Sequence, residues 1–562
     1  MDIFLRNRNF SIVLLGAILF VPFLGNVHLF DWDEINFAEC AREMMLTGDY
    51  LRAYMDFQPF WEKPPLFFWM QIASMKIFGI NEFAARFPNA ICGMVTLLTV
   101  FAIGKKLFGE RFGMLWVLAF AGSLFPNMYF KSGIIDPWFN LFIFLSLYFF
   151  ILYHWKRNAY DIQLNKSKLL YALISGVFMG LAILTKGPVA FLIFALTAGA
   201  YFVYNRFKFY FSITHVIVFL ISAFIVTLFW YGIETIRNGP WFITEFVVYQ
   251  IRLFSTHDAG QEGFLGYHFV VILIGCFPSS VLAIPSFFKN EVTGKFEKDF
   301  KIWMLILFWV VLILFSIVHT KIIHYSSMAW FPVTFMGAYF IHNLLENRLK
   351  WKMYLSLVVG TIGYFIAFLF IAFPFLAINI KQLIPYVKDR FAQGNMEANV
   401  NWTGFECLIG VFLATLVFFS LKWFKEGKSV QAAIALFSGT GLTIFFAAAL
   451  IAPKIERYSQ GAAIDFYKSK VGEDCYVQVL GFKSYAHIFY TQKQKPDNLN
   501  SFDNEWLLNG AIDKPAYFVS KIDRPEDYEN KANLKELYKK NGFVFLKRDK
   551  PELPALINSP SF

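Results

Sequence analysis

The chain has 562 residues, of which 57% are hydrophobic and 16% carry a charge. With a mean hydropathy of +0.50, this composition excludes an ordinary soluble globular protein. The formal net charge of +11 does not indicate nucleic-acid binding, because the basic residues fall in short loops between apolar segments. The five cysteines show neither a CxxC pair nor metal-ligand spacing, so neither a zinc finger nor a disulfide framework is predicted.

Hydropathy predicts an all-α, multi-span membrane domain, since about 18 or more nearly uncharged residues suffice for a helix to cross a bilayer. Arg6 and Arg8 precede the first apolar run, which lacks a small-residue cleavage site and is therefore expected to remain as a span. The short apolar segment 65–80 is interrupted by Lys76 and predicts a re-entrant or interfacial helix. About thirteen spans are predicted, at 10–30, 83–104, 112–130, 134–153, 169–186, 188–204, 211–232, 266–288, 302–319, 325–345, 353–378, 403–421 and 429–452.

The distribution of basic residues predicts the orientation of these spans. Lysine and arginine clusters alternate with loops that hold few of them, and the positive-inside rule makes the basic side cytoplasmic. The opposite, outer side then receives the loops 31–65, 131–136, 233–265, 320–325 and 379–402. We expect a membrane domain over 1–452 and a small extracytoplasmic α/β domain over 453–562. In that domain the pattern predicts strands at 475–480, 516–520 and 542–546, and helices at 505–509 and 534–540.

The first half of the loop 31–65 has a helical pattern from Asp33 to Gly48. Asp31, three residues before Glu34, predicts a capping box, and Gly48 predicts the end of the helix. The two faces differ in polarity, so we expect an amphipathic helix that lies in the membrane interface. The apolar face holds Phe37, Cys40, Ala41, Met44 and Met45, and the polar face holds Glu39, Arg42 and Glu43.

The second half of this loop contains Trp61-Glu62-Lys63-Pro64-Pro65. Pro64 favours an extended conformation for Lys63. Neighbouring side chains of an extended chain point to opposite faces, so Glu62 and Lys63 are poorly placed to neutralise each other. The alternative is that Asp31 and Asp33 merely cap a helix, while Glu62 and Lys63 are solvated loop charges.

Several motifs in this loop resemble a known family. They are Asp33-Glu34, Ala-Arg42-Glu43-Met, Gly48-Asp49 and Phe60-Trp-Glu62-Lys63-Pro64-Pro65, and Asn81-Glu-Phe-Ala-Ala-Arg86-Phe-Pro88 extends the resemblance. The family is that of polyprenyl-phosphate-sugar-dependent transferases, with the bacterial aminoarabinose (lipid A) transferases as the nearer match and the protein O-mannosyltransferases as more distant relatives. The resemblance implies an integral-membrane glycosyltransferase of the GT-C fold.

The resemblance also implies roles for carboxylates. Asp33 is the candidate base or acceptor-orienting group, supported by Glu34 and by Asp136 at the start of a span. Asp136-Pro137 is equally consistent with a plain helix start, in which Asp136 is the N-cap and Pro137 takes the first helical position.

Four residues are candidates for the phosphate of the lipid carrier: Lys63, Arg252, Lys321 and Tyr325. Lys321 and Tyr325 resemble a Lys-x-x-x-Tyr element of the family, and four residues apart they share a face if the segment is helical. Snorkelling and aromatic-belt residues at a membrane interface are the alternative. Arg252 lies in the polar loop 233–265, which has the glycines of a mobile, substrate-contacting loop.

A divalent metal ion, such as zinc, magnesium or manganese, is a further expectation. Glu62 with His257 or His268 offers carboxylate oxygen and imidazole nitrogen, which suit zinc. In the family, the corresponding outer loop can supply a histidine for a metal. Gln250 stands where relatives often have histidine.

The predicted function is transfer of a sugar from a polyprenyl-phosphate carrier to a lipid A-like lipid, a glycan or a protein. The predicted place is the outer face of the cytoplasmic (inner) membrane, and nucleic acid is not an expected partner. A multi-span lipid transporter or flippase and a GT-C oligosaccharide ligase are the alternatives. Where near relatives read Asp-Glu-Pro-Arg-Tyr, this chain has Asp33-Glu34-Ile35-Asn36-Phe37. The sugar and the acceptor therefore stay open.

Overall fold

The computed structural model describes residues 7–160, 162–255, 263–288, 294–318, 320–529, 531 and 533–551. The chain divides into two compact units. The first unit comprises Met1–Asn26, Cys40–Phe373 and Phe405–Ala449, and the second comprises Val27–Glu39, Pro374–Gly404 and Leu450–Phe562. Helices dominate the first unit, whereas the second also holds a four-stranded β-sheet.

Apolar helices of spanning length confirm a multi-pass membrane protein. Over the described ranges, eight helices are long and apolar enough to cross a membrane, and a bent pair would make nine. The eight are Glu82–Phe108, Asp136–Arg157, Lys168–Lys186, Ile213–Asn238, Lys295–Ile317, Met353–Ile378, Phe405–Lys425 and Ser429–Leu450. The bent pair is Tyr267–Gly275 with Ser279–Phe288, at 113° to each other. Shorter apolar helices are Arg8–Phe20, Leu66–Phe78 and Val189–Tyr204.

The other helices are short or lie at the ends of these segments. The α-helices are Asp33–Thr47, Glu110–Ala121, Leu124–Tyr129, Trp241–Ser255, Trp330–Leu345, Ile380–Leu383, Arg390–Met396, Ala452–Glu456, Gly461–Ser469, Ala486–Tyr490 and Asn504–Asn509. The 3₁₀ helices are Ile323–Ala329, Ile384–Tyr386, Phe405–Cys407, Leu499–Phe502 and Pro525–Asp527.

Two predicted spans are interrupted, one beside a serine whose side chain is hydrogen-bonded and the other at a proline. The segment 112–130 breaks after Ala121, where the Ser123 hydroxyl donates to Ser279 Oγ at 2.8 Å. The segment 266–288 bends just before Ser279, where Pro278 has no backbone N–H to continue the helix. Hydropathy sums over a window and therefore does not register such breaks.

The helices of the first unit pack closely where small residues allow it. Gly176 and Gly180 lie four residues apart on helix Lys168–Lys186, facing helix Ile213–Asn238. A Cβ at Gly180 would come within 2.8 Å of the carbonyl oxygen of Ala223. Small residues at this spacing are a common way for membrane helices to approach each other.

The helix that carries Asp33 is buried on both faces. Its observed bounds, Asp33–Thr47, confirm the predicted helix, and Gly48 follows with a φ of +70°. Its polar face is buried inside the protein, since Glu39, Arg42 and Glu43 are each at most 1% exposed. Its position in the membrane interface stays a prediction. Burial of a carboxylate requires hydrogen-bond donors, and the backbone N–H of Phe57 donates to Glu43 at 2.7 Å.

Two sheets are present in the described residues. Strands β1 (Tyr54–Met55) and β2 (Gln58–Pro59) form a small antiparallel hairpin. The second unit holds a four-stranded sheet of β3 (Tyr476–Val479), β4 (Ala516–Lys521), β5 (Lys535–Lys540) and β6 (Phe543–Arg548), in the order β3-β4-β6-β5. Strand β3 runs parallel to β4, and the other pairings are antiparallel. The central strands are buried, with Phe518 and Val544 fully enclosed.

The helix predicted at 534–540 is wrong, because this segment is the exposed edge strand β5. Strand β5 pairs with β6 through a tight turn at Asn541-Gly542, whose φ angles are +49° and +82°. Asn-Gly is the pair that two-residue hairpins favour, since both central residues require positive φ. The charged composition of 534–540 obscured this local signal.

The hairpin turn generates a stability prediction with a matched control. Gly542 and Gly472 both have positive φ, at +82° and +80°. A Cβ at Gly542 would lie 2.8 Å from the carbonyl oxygen of Phe391, whereas nothing lies within 4 Å of a Cβ at Gly472. We expect Gly542→Ala to lower the free energy of unfolding by roughly 1–3 kcal/mol more than Gly472→Ala. Thermal unfolding in detergent measures this difference, and equal melting shifts would contradict it.

Candidate functional site

The carboxylates at the start of helix Asp33–Thr47 have separate partners. Asp33 opens the helix and is half-buried, while the buried Glu34 accepts a hydrogen bond from the N–H of Phe30 at 3.0 Å. The predicted capping box is therefore wrong about Asp31. Its carboxylate accepts hydrogen bonds from the Ser484 hydroxyl and from the Tyr485 N–H. Burial raises the pKa of Asp31, although these hydrogen bonds oppose the shift.

Asp136 forms a buried ion pair that the sequence reasoning missed. It is the first residue of helix Asp136–Arg157, and the N-cap position falls on Ile135, so the alternative that Asp136 is the N-cap is wrong. Its Oδ1 lies 2.6 Å from Nζ of Lys186, and the side chains of Asp136 and Lys186 are 4% and 16% exposed. The Lys186 ammonium also lies 5.6 Å from the ring centroid of Tyr325. Lys186 therefore brings two predicted site residues, Asp136 and Tyr325, to one place.

One signal in the sequence could have identified Lys186. It is the last residue of an apolar helix and stands just before Gly187-Pro188. A charge between two spans that have almost no linker between them must find a partner or water. That partner, Asp136, is 50 residues away in the chain, so local patterns do not reveal the pair.

Tyr249 gathers two of the predicted phosphate-binding cations. The Lys63 ammonium lies 5.0 Å from the centroid of its ring, and the Arg252 guanidinium carbon lies 5.5 Å from it. The ring of Trp61 meets Tyr249 edge-on at 5.6 Å. Lys63 and Arg252 are thus held around one aromatic side chain, an arrangement that can offer charge-assisted hydrogen bonds to a phosphate.

The segment that holds Tyr249 and Arg252 is a helix, so the prediction of a mobile loop over 233–265 is wrong for Trp241–Ser255. Phe242 and Phe246, four residues apart, are buried next to Trp230 and anchor the helix. Tyr249 and Arg252 lie three residues apart and therefore share a face. The helical spacing of these aromatics was the signal that sequence reasoning passed over.

Lys321 makes its hydrogen bonds within its own segment. Its ammonium donates to the carbonyl oxygens of Ser316 at 2.7 Å, Val318 at 2.5 Å and Phe315 at 3.3 Å. An ammonium has three donors, so this lysine caps the end of helix Lys295–Ile317. Lys321 precedes the 3₁₀ helix Ile323–Ala329, which contains Tyr325. The two residues therefore do not share one face of an α-helix, contrary to the expectation from the sequence.

The predicted metal ligands are not assembled in the part of the chain that the structure describes. No group of three or more histidine, cysteine, aspartate or glutamate residues there could hold a metal ion. His268 is fully buried, with Nδ1 3.1 Å from the hydroxyl oxygen of Ser326. His257 lies outside the described residues, so a metal on Glu62, His257 and His268 stays a prediction.

A second buried ion pair joins the loop 31–65 to a membrane helix within the first unit. Arg52 donates twice to one carboxylate oxygen of Glu234, at 3.0 and 3.1 Å. Trp230, on the same helix, donates its indole N–H to the carbonyl oxygen of Leu51 at 2.7 Å. The guanidinium also lies 4.8 Å from the ring centroid of Trp241. This part of the loop is therefore rigidly attached to helix Ile213–Asn238.

Taken together, these features define a mostly helical, multi-pass membrane protein with cations and carboxylates at the ends of its apolar helices. A sequence model of the dolichyl-phosphate-mannose-protein mannosyltransferase family matches residues 62–231. The crystal structure of ArnT from Cupriavidus metallidurans bound to undecaprenyl phosphate aligns with a TM-score of 0.72 at 17% identity. The alignment covers 98% of this chain and 99% of that one, so the two share a fold.

Sequence relatives agree with this fold. The chain is 25% identical over 381 residues to the undecaprenyl phosphate-alpha-4-amino-4-deoxy-L-arabinose arabinosyl transferase of Photorhabdus laumondii, covering 65% of each protein. It is 24% identical over 456 residues to the protein of that name in Shewanella sediminis, covering 80% of this chain and 77% of the relative. The resemblance predicted from the loop motifs is confirmed: the chain is similar to polyprenyl-phosphate-dependent glycosyltransferases with the GT-C fold.

The ion pair of Asp136 and Lys186 generates the next prediction. Lys186→Met would leave the Asp136 carboxylate buried without its counter-charge, which typically costs about 3–5 kcal/mol of stability. Adding Asp136→Asn removes the stranded charge, so the double variant should regain most of the loss.

The measurement is thermal unfolding in detergent, with Lys428→Met as the control. Lys428 pairs with Glu426 at 2.8 Å on an exposed surface, where salt bridges contribute little, so its removal should not shift the melting temperature. A double variant less stable than Lys186→Met would show that the pair is not coupled as described.

Proposed function

We propose that the protein is a membrane glycosyltransferase that moves a sugar from a polyprenyl-phosphate carrier to a lipid, glycan or protein acceptor. The observation that carries the proposal is the placement of Lys63 and Arg252 around Tyr249. They belong to a fold whose relative from Cupriavidus metallidurans was crystallised with undecaprenyl phosphate. An acceptor resembling lipid A has the most support, because the loop motifs resemble those of aminoarabinose (lipid A) transferases. The similar sequences are named as undecaprenyl phosphate-alpha-4-amino-4-deoxy-L-arabinose arabinosyl transferases.

The proposed reaction breaks the bond between the anomeric carbon and the carrier phosphate. An acceptor hydroxyl or phosphate oxygen attacks that carbon, and polyprenyl phosphate leaves with the bonding electrons. Asp33 takes the proton of an attacking hydroxyl or orients an attacking phosphate, with Glu34 as support. Lys63 and Arg252, with Tyr325, stabilise the charge on the departing phosphate. Asp136 supports this site through its ion pair with Lys186, whose ammonium lies over the ring of Tyr325.

The proposal includes an orientation and a domain division. We place the reaction at the outer face of the cytoplasmic membrane, because the basic loops define the inner side. About thirteen spans and a boundary near residue 453 would then put the four-stranded sheet of the second unit outside the membrane. A divalent cation on Glu62, His257 and His268 is a subsidiary proposal that elemental analysis of the purified protein can test.

The role of Asp33 leads to a direct mutational prediction. Asp33→Asn preserves shape and removes the charge, so transfer should fall by about 10²–10⁴-fold with little change in melting temperature. Asp503→Asn is the matched control, since Asp503 caps helix Asn504–Asn509 and asparagine caps as well as aspartate. Its activity should stay at the wild-type level. Asp33→Asn activity within a few-fold of wild type would reduce Asp33 to a helix-capping residue.

The role of the two cations gives a separate prediction about the donor. Removal of one charge-assisted hydrogen bond to a partly desolvated phosphate should cost about 1.5–3 kcal/mol. Lys63→Ala and Arg252→Ala should therefore lower kcat/KM for the donor by roughly ten- to a hundredfold. Lys63→Arg should recover only part, because a planar fork does not reproduce a point charge.

The control for these variants is Lys76→Ala, because the Lys76 ammonium also lies over a tyrosine ring, at 4.6 Å from Tyr50. Donor-concentration dependence with a defined polyprenyl-phosphate sugar distinguishes the variants. Unchanged donor affinity and rate in both Lys63→Ala and Arg252→Ala would mean that the carrier phosphate lies elsewhere.

The orientation is tested by labelling single cysteines with an impermeant reagent in intact cells. Cysteines at exposed positions within 33–63 and 453–562 should react from outside, and those at exposed positions within 105–111 and 422–428 should react only after the cells are opened. A cytoplasmic location of 453–562 would mean that the span count is wrong by one.

A further inference from the structure

Within the second unit, the stretch 28–32 is held by the C-terminal part of the chain. The ring nitrogen Nδ1 of His28 lies 2.9 Å from a carboxylate oxygen of Glu456. The backbone N–H of Leu29 donates to the hydroxyl of Tyr490 at 2.7 Å, and the Gln460 amide donates to the carbonyl oxygen of Leu29 at 2.9 Å. Both backbone polar groups of Leu29 are thus satisfied by side chains more than 400 positions later in the sequence.

The next residues along this stretch are held in the same way. The Asp31 carboxylate accepts hydrogen bonds from the Ser484 hydroxyl and the Tyr485 N–H. Ser484 is 7% exposed. The ring of Trp32 meets the ring of Tyr485 edge-on at 6.2 Å, and the ammonium of Lys483 lies 4.5 Å from the Trp32 centroid. The contacts therefore extend to the residue that immediately precedes Asp33.

These contacts determine where helix Asp33–Thr47 begins. The N–H groups of Ile35 and Asn36 donate to the carbonyl oxygens of Phe30 and Trp32, so the first helical turn is built on the stretch 28–32. A shift of this stretch would carry Asp33 with it. Rates of enzymatic reactions are sensitive to displacements of about 1 Å in a reacting group.

We propose that the C-terminal segment 456–490 positions the candidate catalytic carboxylate Asp33, with Ser484 as a positioning residue that acts through Asp31. The inference rests on the proposed function, because it assigns Ser484 a role in the same transfer. Ser484 is buried and Asp31 is partly buried, so water does not readily replace their hydrogen bond, and loss of the Ser484 hydroxyl should lower activity. The C-terminal segment is then a working part of the transferase and not an independent appendage.

The test measures steady-state transfer by the full-length protein in detergent, with a defined polyprenyl-phosphate sugar. Ser484→Ala should lower kcat about tenfold while the donor KM changes less than about twofold, because the carrier phosphate is bound by other residues. Ser484→Thr keeps the hydroxyl and should restore most of kcat. Ser501→Ala is the control, since Ser501 is also buried, lies outside segment 456–490 and donates its hydroxyl to the nearby Asn498 carbonyl oxygen.

A double variant checks that Ser484 acts through Asp31. The double variant Asp31→Asn with Ser484→Ala should lose no more activity than the stronger single variant, because the two substitutions remove the same hydrogen bond. Additive losses would overturn the assignment of Ser484 to Asp31.

Hydrogen exchange provides a readout that does not need activity. In Ser484→Ala, and in Tyr490→Phe, the amides of 28–32 should exchange about three- to tenfold faster than in wild type. Wild-type exchange and wild-type kcat in both variants would overturn the inference while leaving the proposed function intact. Absence of transfer in the wild-type protein would instead overturn the proposed function, and this inference with it.

Discussion

The free-energy cost of burying charge determines how the polar groups of this protein are arranged. Most of its helices are apolar, and an ionised side chain among them is stable only with a partner. Asp136 pairs with Lys186 at 2.6 Å, and Lys321 donates to three backbone carbonyl oxygens. Arg52 and Glu234 likewise form an ion pair with each other. Arg252 is exposed near the end of helix Trp241–Ser255, so this cost does not apply to it, and we assign it to the carrier phosphate.

That constraint suits an enzyme whose donor is a lipid. A polyprenyl carrier stays in the bilayer, so its phosphate reaches the protein at the membrane surface, where partial desolvation strengthens contacts with cations. Lys63 and Arg252 both lie close to the aromatic ring of Tyr249, whose face attracts cations.

Sequence patterns within one segment predicted the secondary structure of that segment. The period of the apolar residues predicted helix Asp33–Thr47, and Gly48 predicted its end. The motifs of the loop 31–65 predicted the GT-C fold. Contacts between residues that are far apart in the chain were not predictable. They include the ion pair of Lys186 with Asp136 and the hydrogen bond from Ser484 to Asp31. Burial of both faces of helix Asp33–Thr47 likewise depends on neighbours that a single segment does not reveal. The strand after residue 534 was a different error, because the turn signal at Asn541-Gly542 is local and was overlooked.

The most direct measurement follows the sugar and the polyprenyl phosphate of the donor separately. It uses liposomes that contain the purified protein, a polyprenyl-phosphate-linked sugar and a lipid A acceptor. Mass spectrometry then measures the glycosylated acceptor and the free polyprenyl phosphate, with aminoarabinose and hexoses as donor sugars. We predict that the two products form in equal amounts for at least one sugar. Donor that crosses the bilayer with its sugar–phosphate bond intact, and with no free polyprenyl phosphate, would contradict a transferase and indicate a lipid transporter.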